Sequence, residues 1–134
     1  MSKTELVRKK STYSDNFTNH FRDRDDLKPI EKYVYLDLLN RAGQKGHSWY
    51  SLDKLASIYQ MSKPTLIKIL NVLEAKGGLY ICKRYDKTTK VQKTNRIYAI
   101  ENDYYTGEFN TAQLEALKVM YPDKKIYVDS NDCE

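Results

Sequence analysis

Residues able to do chemistry are scarce in this chain. Of 134 residues, two are histidine and two are cysteine. Cys82 and Cys133 stand far apart with no metal-ligand spacing, and the pattern predicts free thiols in a reducing cytoplasm. His20 has no partner histidine or cysteine at ligand spacing, so no metal is expected. Glycine totals five residues and nowhere forms a phosphate-binding loop. There is no histidine pair and no nucleophile elbow, and the carboxylates are scattered, so no enzymatic activity and no cofactor are expected. No apolar run approaches the roughly 18 residues of a membrane span, and the first residues lack a hydrophobic signal region. These absences exclude a membrane role and favour a cytoplasmic protein that works by binding.

What is present is charge, unevenly placed. The chain is 31% charged with a net charge of +5. Residues 1–10 carry four basic and one acidic side chain, and residues 11–60 balance at seven each. Residues 61–96 hold nine Lys or Arg against Glu74 and Asp86, while residues 97–134 hold three against eight. A charge run alone is ordinarily a solvated face. This one coincides with a helical motif, which points to nucleic acid.

The motif runs from Gln60 to Leu79. Ser62 is a good N-cap, and Lys63-Pro64 fits a first helical turn, where a missing N–H costs nothing. Leu66, Ile69, Leu70 and Leu73 recur at three- and four-residue spacing, which predicts an apolar stripe. Thr65, Lys68 and Asn71 fall on the other side. Gly77-Gly78 closes the helix, since glycine accepts the left-handed C-terminal conformation.

The elements around it follow in order. Residues 1–16 read as a basic flexible arm, and Phe17, His20 and Phe21 as an anchor onto the body. Pro29 to about Arg41 reads as a strongly apolar helix, with Ile30, Tyr33, Val34, Leu36, Leu38 and Leu39 covering most of its surface. His47–Tyr50 can form a short strand, with Trp49 as a core plug. Ser51 caps a second helix reaching Tyr59. Beyond Gly78, two β-rich runs flank the polar turn Asp86–Lys90, predicting a basic hairpin. Two short helices, the second basic outside, make a helix-turn-helix, and the hairpin makes it winged. Twelve tyrosines are present. Tyr33, Tyr59, Tyr80 and Tyr98 fall on core-facing positions, so packing explains them better than base stacking does.

The run M-S-K-P-T-L-I-K-I-L-N-V-L-E-A-K-G-G-L-Y resembles the helix-turn-helix signature of winged-helix regulators, on Ser62, Thr65, Leu66, Leu70, Leu73, Glu74 and Gly77. Residues 27–100, from L-K-P-I-E-K-Y-V-Y-L-D-L-L-N-R-A to N-R-I-Y-A-I, are similar to a helix-turn-helix family of phage and plasmid replication initiators and replisome organisers. The shared features are the aliphatic first helix ending in Arg-Ala, a loop with glycine, and a short strand before the second helix. Gly78 departs from the pattern as an extra glycine before the wing, expected to set how the wing meets the duplex.

The resemblance implies an α+β fold, mainly α: a winged helix-turn-helix over residues 17–100. It implies double-stranded DNA as partner, with Ser62 and Thr65 on phosphate oxygens. Lys63, Lys68, Asn71 and Ile67 would face base edges, Ile67 either touching a thymine methyl or belonging to the core. Arg84, Lys87, Thr88, Thr89, Lys90 and Lys93, with Tyr85, would grip the backbone. Residues 101–134 form an acidic extension carrying an extra C-terminal helix capped by Asn110. Its Leu114, Leu117, Met120 and Tyr121 either pack back on the body or form a homodimer contact. Three functions remain open: a transcriptional regulator of a mobile element, a replication-initiation or partition factor with protein partners, or a winged helix that binds protein instead of DNA.

Overall fold

Proline and serine set where the helices begin. The computed structural model describes residues 19–129, so the arm expected over residues 1–16, Phe17 and Cys133 lie outside the described part. The elements are α1 (Asn19–Arg22), α2 (Pro29–Ala42), a 3-10 turn (Gly43–Lys45), β1 (His47–Ser48), α3 (Leu52–Ile58), α4 (Lys63–Ala75), β2 (Leu79–Asp86), β3 (Gln92–Ala99), α5 (Thr111–Met120) and β4 (Lys125–Val128). At the start of α2, Pro29 occupies the first turn and the Lys28 amide donates to Glu31 Oε1 at 2.8 Å. Ser51 Oγ accepts from the Lys54 amide at 3.0 Å, and Ser62 Oγ from the Thr65 amide at 3.3 Å. Each of these bonds satisfies an amide that the helix leaves without a partner. At the far end of α4, Gly77 takes φ +90° and the Gly78 amide donates to the Leu73 carbonyl at 2.9 Å, the left-handed closure that the sequence predicts.

The core lies between the helices and one sheet. Leu66, Ile69, Leu70 and Leu73 of α4 are buried against Val34 and Leu38 of α2, Leu55 of α3, and Leu79 and Ile97 of the sheet. Each such leucine contributes about 1.5–3 kcal/mol by leaving water. The strand order is β1-β3-β2-β4. β2 and β3 form the antiparallel hairpin, β1 pairs antiparallel with the outer side of β3, and β4 runs parallel to β2 along its other edge. The chain after Ile100 thus returns to the same sheet. Among the described residues, no helix is long and apolar enough to cross a membrane.

Several core expectations are corrected. Tyr33 is 47% exposed and meets Tyr59 edge-on at 5.9 Å, and Ile30 is also exposed. Tyr35 holds the buried place instead, its hydroxyl donating to the Ile100 carbonyl. Phe21 of α1 and Phe109 pack on its ring, with centroids 5.2 and 5.0 Å away, so the expected Phe21 anchor is present, while His20 is exposed. Trp49 is half-buried under the Lys45 ammonium, 4.6 Å from its ring, and does not plug the core.

Candidate nucleic-acid interface

The apolar stripe of α4 turns inward, which leaves its other face to solvent. Ser62, Lys63, Thr65, Ile67, Lys68 and Asn71 are all exposed. Ile67, at 38% exposure, belongs to the outer face and not to the core. The two hydroxyls differ in what they have left to give. Ser62 Oγ accepts from the Thr65 amide and donates to Thr65 Oγ1 at 2.9 Å, so its hydrogen is spent on the cap. Thr65 keeps its hydroxyl hydrogen for an acceptor outside the protein. Lys63 reaches Asp53 of α3 at 3.5 Å, an exposed pair of little worth. Lys68 carries no ion pair among the described residues.

The entry to α4 is braced from behind. Asp37 Oδ2 of α2 accepts from the Tyr59 hydroxyl and from Arg41 Nε, both at 2.6 Å. Burial, then the bond to Asp37, pushes the Tyr59 phenol well above its ordinary pKa. This carboxylate fixes the end of α3 to α2, and Gln60 then turns the chain into α4 with φ +55°.

The hairpin tip is built around Asp86. Its Oδ1 accepts the Thr88 and Thr89 amides, each at 2.8 Å, and its amide donates to the Val91 carbonyl at 2.8 Å. Lys90 closes the turn with φ +65°. The result is a held loop that projects Lys87, Thr88, Thr89 and Lys90, all exposed. Lys87 lies 3.3 Å from Asp129, and the Lys90 ammonium 5.3 Å from the centre of the Tyr127 ring.

Strand alternation divides the remaining hairpin residues. Arg84 is a correction to the sequence reading: it is 2% exposed, and its Nε donates to the Thr94 carbonyl at 2.7 Å. A guanidinium committed in this way cannot also grip a phosphate. Lys93 is half-buried. The opposite face carries Ile81, Lys83 and Tyr85, which with Asn95 form one wall of a groove of about 550 Å³; Ile67 and Asn71 of α4 line the other. The hinge between the walls is Glu74, whose Oε2 accepts the Ile81 amide at 3.0 Å and the Lys124 ammonium.

The residues assigned to a dimer contact lie differently. Leu117 is buried in its own chain, Leu114 and Tyr121 are half-buried against the same core, and Met120 alone of the four is exposed. The Tyr121 carbonyl accepts from the Tyr80 hydroxyl at 2.6 Å, tying the end of α5 to β2. Lys125 and Tyr127 of β4, which the sequence reading did not single out, reach the groove side of the sheet. The alternation of Lys125-Ile126-Tyr127-Val128 was the available signal.

Residues 25–78 match a family model described as a helix-turn-helix domain. The matched span takes in α2, α3 and α4 and stops where β2 begins. No curated protein and no solved structure matches the chain. Helix-turn-helix domains bind duplex DNA, so the match supports DNA as the partner.

Proposed function

We propose that the chain is a sequence-specific double-stranded DNA-binding protein, a transcriptional regulator belonging to a mobile element. α4 is its recognition helix and the β2–β3 hairpin its wing. The observation that carries this reading is the shared groove: Ile67 and Asn71 on the free face of α4 look across to Lys83 and Tyr85 on the hairpin. A helix seated in the major groove presents Lys63, Ile67, Lys68 and Asn71 to base edges, where lysine donates to guanine and asparagine pairs with adenine. Thr65 and the tip residues Lys87, Thr88, Thr89 and Lys90 take phosphates and fix the register. The function is binding alone, and the reading assigns no chemistry to any side chain. The mobile-element assignment rests on the resemblance of residues 27–100 to phage and plasmid proteins.

The test is selection of duplexes from a random library, followed by footprinting on the DNA around the chain's own gene. Recovery of one motif and protection of a repeat upstream of that gene supports the reading. Protection confined to a replication origin moves it to initiation, and failure to enrich any duplex overturns it.

A further inference from the structure

A two-stranded hairpin would leave the outer edge of β2 open, but β4 occupies it and widens one face. The parallel register sets Lys125 beside Lys83 and Tyr127 beside Tyr85. Ile126 and Val128 take the buried side, next to Arg84 and Asp86. Two lysines side by side on neighbouring strands repel each other. Both are exposed, and neither carries an ion pair among the described residues. Two of the carboxylates nearby are paired with other lysines: Glu74 holds Lys124, and Asp129 lies 3.3 Å from Lys87. Asp123 Oδ1 accepts the Lys125 amide at 3.1 Å and keeps its charge at the edge of the groove. The rings of Tyr85 and Tyr127 stack on each other, with centroids 5.7 Å apart and planes at 29°, beneath the Lys90 ammonium. Rings engaged in this way offer their edges and hydroxyls to a ligand more readily than a bare face. The face therefore presents ammonium and phenol donors around two adjacent lysines that form no ion pair among the described residues, and that chemistry fits a phosphodiester.

We infer that Lys83, Tyr85, Lys125 and Tyr127 form a phosphate-binding face that grips the sugar-phosphate backbone of a duplex beside the groove holding α4. The C-terminal strand is then part of the DNA contact, and a bridging phosphate relieves the apposition of the two lysines. This rests on the duplex-binding reading above and adds to it residues beyond the matched helix-turn-helix span.

The test uses the full chain and a mixed-sequence duplex, with affinity measured by fluorescence anisotropy across a salt series. Lys83→Ala with Lys125→Ala should lower the slope of log affinity against log salt by about one to two, and weaken binding roughly ten-fold or more near 0.1 M salt. Lys125→Arg should retain the wild-type slope. Lys118→Ala, on α5, should change neither quantity, and unfolding midpoints establish that each variant is folded. An unchanged slope in the Lys83/Lys125 variant, alongside loss of preference for a library-selected duplex in a Lys63→Ala, Lys68→Ala variant, overturns the face and leaves the helix reading standing. Wild-type protein without salt-dependent duplex binding overturns both. Tyr127→Ala that weakens a single-stranded oligonucleotide more than the duplex overturns the phosphate assignment in favour of base stacking.

Discussion

The ring of Phe109 lies so close over Gly78 that a Cβ at that glycine would stand 2.7 Å from the ring's Cζ. Gly78 is also where the chain leaves α4 for the hairpin. Its amide donates to Leu73, and its carbonyl accepts from the Ile100 amide, both at 2.9 Å. The extra glycine is thus a seat for an aromatic ring that arrives from thirty-one residues further on. Phe109 in turn packs on Phe21 and Tyr35, so the joint between helix and hairpin is clamped by the core.

Gly78→Ala is therefore expected to destabilise the fold by about 1–3 kcal/mol, the usual cost of overpacking. Urea unfolding of Gly78→Ala, Phe109→Leu and the double variant checks the cause. The double should be less destabilised than the two single effects added together, because the smaller side chain vacates the contested space. Strict additivity would mean that the ring is not what excludes a side chain.

Lys90 sits in the left-handed region at φ +65°, where a residue with a Cβ is strained by roughly 1–2 kcal/mol. Lys90→Gly should raise stability by about 1 kcal/mol and at the same time weaken binding to all duplexes alike, with a shallower salt slope. Stability gained with affinity kept would remove Lys90 from the interface.

Tyr35 carries an alkaline prediction. Burial, opposed by the Asn102 hydrogen bond, raises its phenol pKa above the ordinary 10.0. Below pH 10 the folded and unfolded chains are both protonated there, and stability is unaffected. Above it the unfolded chain loses the proton first, so this group costs about 1.4 kcal/mol per pH unit until the folded phenol also ionises. Tyr35→Phe should show a flatter decline of unfolding free energy above pH 10 than wild type, from a starting value about 1 kcal/mol lower through loss of the bond to Ile100.

Cys82 is fully buried, and its burial pushes the thiol pKa up to about 11. In a Cys133→Ser chain at pH 8, a thiol reagent should label Cys82 only as fast as the fold opens, so the rate should track added denaturant. Rapid labelling of folded protein would contradict the packing of the sheet.

The parts of the fold legible in the sequence were those governed by short-range chemistry. Ser51 and Ser62 announce helix starts through bonds to residues three positions away, Pro29 and Pro64 through a fixed φ and a missing N–H, and the 3.6-residue spacing of Leu66, Ile69, Leu70 and Leu73 fixes which face of α4 stays free. Misread residues depended on distant partners. Tyr35 and Tyr33 both suit an apolar helix, and only the Ile100 carbonyl with the Phe21 and Phe109 rings decides between them. Arg84 looked like one more outward cation because the hairpin was read as a two-stranded ribbon. Once β4 pairs with β2, the residues alternating with Arg84 face the groove and Arg84 faces the core. For Leu117 the spacing left open packing on its own chain or on a second copy, and its burial in its own core was not legible from the helix alone.

The central claim is that the outer face of α4 reads duplex DNA. Its most direct test is the affinity of wild type and of Lys63→Ala, Lys68→Ala for a library-selected duplex and for a scrambled one, with unfolding midpoints measured in parallel. Both lysines are exposed, and Lys63 holds only a surface pair with Asp53, so the variant should stay folded. The account predicts loss of the preference for the selected site, by roughly 1–3 kcal/mol for each base contact removed, with weaker binding to the scrambled duplex remaining. Unchanged preference for the selected duplex in a folded variant would contradict it.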